Sequence, residues 1–246
     1  MHVLKIGGNE LDDPEFLRSL AQFVARLGEP VVIVHGGGKA IAELQAKLGL
    51  VAQKVDGLRI TDSESLAVVQ MVLSGQANKL IVTALLTAGV DAVGLSGVDG
   101  GVLRCQKKQH PTADLGFVGT ITQVRTSVLH TLLAQRITTV LSPISLGEDG
   151  QIYNVNADEA ASAVALALNA RLLDFISNVP GVLLEGQVIP QLTSVQTEKL
   201  ISDGVVNGGM IPKVRAALSA VASGVPQARI VNLAGLASAG GTVFYQ

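Results

Sequence analysis

The feature that most constrains this chain is Val31-Val-Ile-Val-His35, an apolar β-branched run that stops in three consecutive glycines, Gly36, Gly37 and Gly38. Such a run predicts a buried strand, and the glycines strip the backbone of side chains as it leaves that strand. Residues Lys39 to Leu48 follow with apolar side chains at helical spacing, so the glycines stand between a strand end and a helix start. Backbone N–H groups and a helix dipole can meet an anion there, although a tight βα turn carries the same sequence. Two familiar phosphate signatures are excluded. Residue 41 is Ile rather than the last glycine of a dinucleotide fingerprint, and Lys39 is followed by Ala40 instead of Ser or Thr.

A second strand–glycine unit precedes the first. Val3 to Ile6 reads as a strand ending in Gly7-Gly8, with Lys5 inside it. A buried ammonium must find an anion or lose its charge, whereas on an edge strand Lys5 would face water. Helical periodicity covers Pro14 to Leu27. The stretch Lys54 to Asp62 alternates as a strand or hairpin carrying Arg59, either a fork for a carboxylate or phosphate or an exposed surface arginine. Thr61 or Asp62 caps a helix that starts at Ser63 and continues to Ala88.

Beyond it, Val90 to Leu95 predicts a strand, Arg104 to Gly119 a loop or hairpin excursion, and Thr126 to Gln135 a helix. A strand from Thr138 leads to the turn 147–150, taken as a lobe boundary. Asn154, Asn156 and Asp158 alternate before a helix from Glu159 to Leu168, and capping accounts for one of the three. A strand at Leu172 to Ser177 meets the turn Asn178-Val-Pro-Gly181, and Gly208 to Lys213 opens a helix ending near Ser223. Lys213 therefore lies at a positive helix end, which suits an anionic partner better than a structural cation. Strands at Ala228 to Leu233 and Gly241 to Tyr245 close the chain.

Of the 246 residues 48% are hydrophobic, but only 3% are aromatic and Trp is absent, so the core must be Ala, Val, Leu and Ile. That composition suits an α/β fold, a mainly parallel sheet between helices, in one two-lobed domain. The net formal charge of −2 and the lack of a basic stripe argue against nucleic acid. Cys105 is the sole cysteine, which excludes an intrachain disulfide and a cysteine zinc site and fits a cytoplasmic protein. No signal peptide is visible, and no apolar run approaches the ~18 residues of a membrane span.

None of the four histidines stands in a base–nucleophile pairing, no spacing suggests a metal-ligand set, and His35 reads as a strand-end residue. The inventory is one for stabilising negative charge. Phosphoryl transfer onto a carboxylate fits it, because an acceptor with a pKa near ~4.3 is already ionised at neutral pH and needs no general base.

Six motifs in order, Lys5-Ile-Gly-Gly8, His35 to Gly38, Asp56 to Asp62, Gly116 to Gly119, Asn154 to Asp158 and Gly208 to Lys213, resemble those of the amino-acid kinase family. The likeness is greatest to members that phosphorylate N-acetyl-L-glutamate. It implies a three-layer αβα sandwich with a mainly parallel open sheet. The N-terminal lobe, about 1–147, would bind the acyl acceptor and dimerise, and the C-terminal lobe, about 148–246, would bind ATP, with Mg2+ held mainly by the phosphates.

Carried over by position, the resemblance makes Lys5 and Lys213 the groups that stabilise the moving phosphoryl, with Asp158 holding both. Gly37 and Gly38 would offer backbone amides, and Arg59 and Asn154 would bind the acceptor's α-carboxylate and acetamido end. Gly8, Ser177, Asn178, Val179, Pro180, Gly181, Val182, Val205, Val206 and Asn207 fall where the family contacts the nucleotide. The segment Leu233 to Gly241 is too short for the helix the family usually has there, which puts packing at that edge in question. Arginine-inhibited members carry a helix before the first strand, so a homodimer without arginine feedback is implied. The rival acceptors are a carrier-protein-linked aminoadipate or glutamate and, more remotely, UMP; the rival class is a nucleotide-binding sensor that transfers nothing.

Overall fold

The computed structural model describes residues 1–8 and 10–246. The chain begins with β1 (His2–Ile6), α1 (Pro14–Leu27), β2 (Val32–His35) and α2 (Gly38–Lys47). The start of α1 is fixed by Asp13, whose Oδ1 accepts from the Glu15 N–H at 2.9 Å, and Gly28 ends it at φ 65°. A hairpin, β3 (Lys54–Val55) and β4 (Leu58–Arg59), leads into α3 (Ser63–Gln70), a π-helical segment Met71–Ala77 and α4 (Asn78–Thr87). Next come β5 (Ala92–Ser96), β6 (Leu103–Lys107), β7 (Gly119–Val124), α5 (Thr126–Ala134), β8 (Thr138–Ser142), β9 (Ile144–Gly147) and β10 (Ile152–Asn154). Then α6 (Ala157–Ala167), β11 (Leu172–Ile176), β12 (Leu183–Leu184), β13 (Gln187–Val188), β14 (Gln191–Thr193) and α7 (Ser194–Ser202) follow. The last elements are α8 (Met210–Ala222), β15 (Ala228–Val231), α9 (Leu233–Ala237) and β16 (Thr242–Tyr245).

Eight strands form the main sheet in the order β14-β16-β15-β11-β1-β2-β8-β5, parallel at every pairing except β15 with β16. Side chains alternate across it. Val3, Val32, Val34 and Leu173 join a core with Ala160, Ala161 and Val164 of α6 and Val214 and Ala217 of α8. Leu4, Ile6, Ile33 and Val140 join a second core with Leu20 and Val24 of α1 and Ile81 and Leu85 of α4. The result is the expected αβα sandwich, with Lys5 in a central strand on the α6 face rather than on an edge. A smaller sheet, β10-β9-β6-β7, lies beside it.

The hairpin excursion expected at 104–119 is present: β6 pairs antiparallel with β7 through an irregularity at Arg104/Cys105. The expected turn 147–150 joins β9 to β10 within one antiparallel pair. The segment after Asn232 does hold a helix, the single turn α9, because Asn232 Oδ1 accepts from the Gly235 N–H at 2.8 Å and Leu236 is buried in the α1 core. Residues Ser63–Thr87 form a continuous 25-residue helix that meets the length and hydropathy of a membrane span. In the sequence its apolar run is broken by Ser74 to Lys79; in the fold, Ile81 and Leu85 pack into the core beneath the sheet.

Candidate active site

Strand β1 lies between β11 and β2, and the carboxyl ends of all three open on one crevice, where open α/β sheets place ligands. Glycine at position 8 is required by contact. A Cβ there would lie 2.5 Å from Gly38 N and 2.6 Å from Gly37 Cα, so the loops leaving β1 and β2 touch backbone to backbone.

Three helix N-termini face the crevice. α2 starts at Gly38, α6 at Ala157 and α8 at Met210, and each contributes first-turn residues to its walls. Each brings the positive end of a helix dipole, and the start of α2 has no side-chain cap, so the crevice favours anions before any side chain is counted. Asn154, Asn156 and Asp158, at the start of α6, divide the labour: Asn156 caps the helix, accepting from the N–H groups of Asp158 at 2.8 Å and Glu159 at 3.3 Å. Asn154 donates to Thr61 Oγ1 at 3.2 Å, and Asp158 turns to the lysine of β1.

Lys5 Nζ lies 2.7 Å from Asp158 Oδ1, so the strand lysine has its anion on α6. Lys213 stands in the first turn of α8 and lines the same crevice. Among the described residues it makes no ion pair, with Asp158 or any other carboxylate; the expected three-way contact is present only as the Lys5–Asp158 pair.

Arg59, half-buried at the end of β4, donates from Nη1 to Gln45 Oε1 at 2.5 Å and from Nη2 to Gly38 O at 3.3 Å. Desolvation lowers its pKa from the ordinary arginine value. The hairpin that carries it turns at Asp56 and Gly57, with φ of 49° and 80°, and His110 Nε2 lies 3.1 Å from Asp56 Oδ2 at the tip.

Two cavities share this machinery. One, of about 250 Å3, is lined by Lys5, Gly37, Gly38, Arg59, Asn154 and Asp158, with Ile41, Leu73 and Val118 as apolar walls. The other, of about 640 Å3, is lined by Gly8, Ser177, Asn178, Val179, Gly209 and Lys213. Lys5, Gly8, Gly38 and Asp158 belong to both. A larger cavity of about 920 Å3 lies elsewhere, on a largely apolar floor between α1 and α4 that includes Leu17, Ala21, Leu80 and Ala84. None of the candidate site residues lines it.

Not every residue singled out in the sequence reaches the crevice. Val182 and Val206 are buried in the core, Gly181 packs against Thr242, and Pro180, Val205 and Asn207 lie outside the residues lining either cavity. Gly209, Met210, Leu73 and Gln45 were not singled out individually. The first two stand inside a quoted motif; Leu73 enters from the π-helical segment, a distortion that often marks functional positions.

His35 is no base. It is fully buried, and burial lowers its pKa to about 4. Nδ1 lies 3.0 Å from Gly36 O and Nε2 lies 3.2 Å from Asn78 Nδ2, an arrangement satisfied by a neutral Nδ1–H ring. Burial pushes the Cys105 thiol up to about 12, which removes it as a nucleophile.

Comparison with known proteins agrees with this geometry. The model of the amino acid kinase family matches residues 1–232. The acetylglutamate kinase of Roseiflexus castenholzii is 53% identical over 234 residues, covering 95% of this chain and 90% of the relative. A solved structure from Streptococcus mutans UA159 superposes with a TM-score of 0.82 at 32% identity, covering 99% and 98% of the two chains. A Giardia carbamate kinase superposes with a TM-score of 0.73 at 16% identity, covering 100% of this chain and 98% of that one, a likeness of fold. A match that runs from the first strand to Asn232, over a crevice built from the strand ends the sequence marks with glycine, makes this chain a member of the amino acid kinase family.

Proposed function

We propose that this chain transfers the γ-phosphoryl group of ATP to the side-chain carboxylate of N-acetyl-L-glutamate, yielding ADP and N-acetyl-L-glutamyl 5-phosphate, a step of arginine biosynthesis. The observation that carries the reading is the pair of cavities sharing Lys5, Gly8, Gly38 and Asp158, one sized for a small acceptor and the other for a nucleotide. The name of the Roseiflexus relative supports the choice of acceptor.

The acceptor takes the smaller cavity, with Arg59 on its α-carboxylate, Asn154 on the acetamido end, and Gly37 and Gly38 amides on the carboxylate that reacts. ATP takes the larger, its triphosphate toward Gly8 and the start of α8, with Ser177, Asn178 and Val179 along the floor. Val182 and Val206 support that floor from the core. We place the division between the acceptor lobe and the nucleotide lobe after β10, since β9 and β10 share a sheet.

In the transfer, a carboxylate oxygen bonds to the γ-phosphorus as the bond from phosphorus to the bridging oxygen of ADP breaks. No proton moves, because the acceptor's pKa near ~4.3 leaves it ionised. What limits the reaction is repulsion between two anions and charge growing on the bridging oxygen. Lys5, held by Asp158, and Lys213 screen both from opposite lobes, and the backbone N–H groups at the start of α2 add fixed dipoles.

Among the described residues no group of three or more His, Cys, Asp or Glu side chains is placed to hold a metal ion, and Asp158 is already paired. A Mg2+ carried by the phosphates would neutralise part of their charge. The protein acts as a homodimer in the cytoplasm in this reading. Met71, Leu80 and Leu86, exposed along one long helix beside edge strand β5, form the apolar face for a second copy.

The test is ADP release with N-acetyl-L-glutamate, glutamate, aminoadipate and UMP in parallel. Turnover with N-acetyl-L-glutamate supports the proposal. Turnover with one of the other three alone, or with none, overturns it.

A further inference from the structure

We propose that Gln45 is a positioning residue for the acceptor site, holding the Arg59 guanidinium in place without consuming its charge. The proposal rests on reading Arg59 as the fork for the acceptor's α-carboxylate.

Gln45 is 1% exposed, an unusual setting for a primary amide unless its hydrogen bonds are met. Both ends are met here. Its Oε1 accepts from Arg59 Nη1 at 2.5 Å, and its Nε2 donates to Ser65 Oγ at 2.9 Å. Ser65 is itself fixed, its N–H donating to Asp62 Oδ1 at 2.7 Å as part of the cap of α3. A chain of hydrogen bonds therefore runs from the capped end of α3, through α2, to the guanidinium.

Arg59 needs such a brace. It ends a two-residue strand that belongs to neither large sheet, and a free arginine side chain has many rotamers to lose. With one N–H on Gln45 and another on Gly38 O, the fork still has three donors for a ligand. A neutral amide is the right brace, because a carboxylate at position 45 would pair with the guanidinium and leave less charge for the acceptor.

The experiment compares steady-state kinetics of Gln45→Met, Arg59→Ala and the double variant, with thermal unfolding as a check. Methionine keeps the volume and removes both hydrogen bonds. The expected result for Gln45→Met is about a tenfold rise in KM for N-acetyl-L-glutamate, with kcat and KM for ATP within about twofold. In the Arg59→Ala background the same change should add nothing to KM, because the group it positions is gone. Gln45→Glu should also raise KM. If Gln45→Met fails to fold, Ser65→Ala, which frees the amide but leaves it in place, should raise the same KM about twofold to threefold.

An unchanged KM in Gln45→Met, or an effect that persists in the Arg59→Ala background, overturns the positioning role while the α-carboxylate reading stands. An unchanged KM in Arg59→Ala overturns both.

Discussion

Gly8 and His35 show how single positions set the crevice. Alanine at 8 would drive a methyl group into the backbone of Gly37 and Gly38, so the two strand-end loops must part. Gly8→Ala should lower kcat at least tenfold while the unfolding midpoint falls little, since the crowding lies at the crevice rather than within either core; kinetics and a melt on one preparation check it. His35 gives a pH dependence with a definite sign. Folded, it titrates near 4 because it is buried, whereas unfolded it titrates near 6.5. Between those values the unfolded chain binds a proton that the folded chain excludes, so the His35 contribution is complete above pH 6.5 and is lost as pH falls toward 4. The slope for one proton is at most about 1.4 kcal/mol per pH unit. Urea unfolding at pH 7 and pH 5 should show a larger loss for the parent protein than for His35→Gln, and equal losses would contradict the assignment.

Among the elements, the β3–β4 hairpin stands outside both large sheets and carries Arg59. Its turn needs a residue at φ 80°, which glycine 57 supplies without strain. Gly57→Val should raise KM for the acceptor severalfold through Arg59, with a midpoint shift of no more than a few degrees because the hairpin adds little to either core. Kinetics against calorimetry separates the two. Elements also mark where the sequence was legible. β1, β2 and α8 announce themselves through apolar runs, glycines and a proline, all local signals, and with them came Lys5, Gly37, Gly38 and Lys213. The strands between 183 and 193 did not, since two- and three-residue strands leave no period to read. Gln45 is one polar residue on an amphipathic helix, and only the packing of α3 over it creates its burial. Val182 and Val206 fall where the family meets nucleotide, yet tertiary packing turns both inward. Asn232 was readable as a strand end but not as the cap that makes one helical turn possible.

For the whole molecule, one eight-stranded sheet runs through both the proposed acceptor half and the proposed nucleotide half. The homodimer proposed above would cover Met71, Leu80 and Leu86, which are exposed on the helix 63–87. Light scattering should give twice the 25.4 kDa chain mass, and Leu80→Glu should reduce it to one. A monomeric parent protein would remove the proposed interface. In the proposed mechanism each half supplies one lysine, Lys5 from the first strand and Lys213 from the last long helix. The account therefore stands or falls on the transfer step itself. Rapid-quench measurement of a single turnover, with both substrates saturating, tests it in the parent protein and in Lys213→Ala. A fall of about 10²–10³ in the rate of phosphoryl transfer, with KM for the acceptor little changed, is the predicted result. An unchanged rate would contradict it.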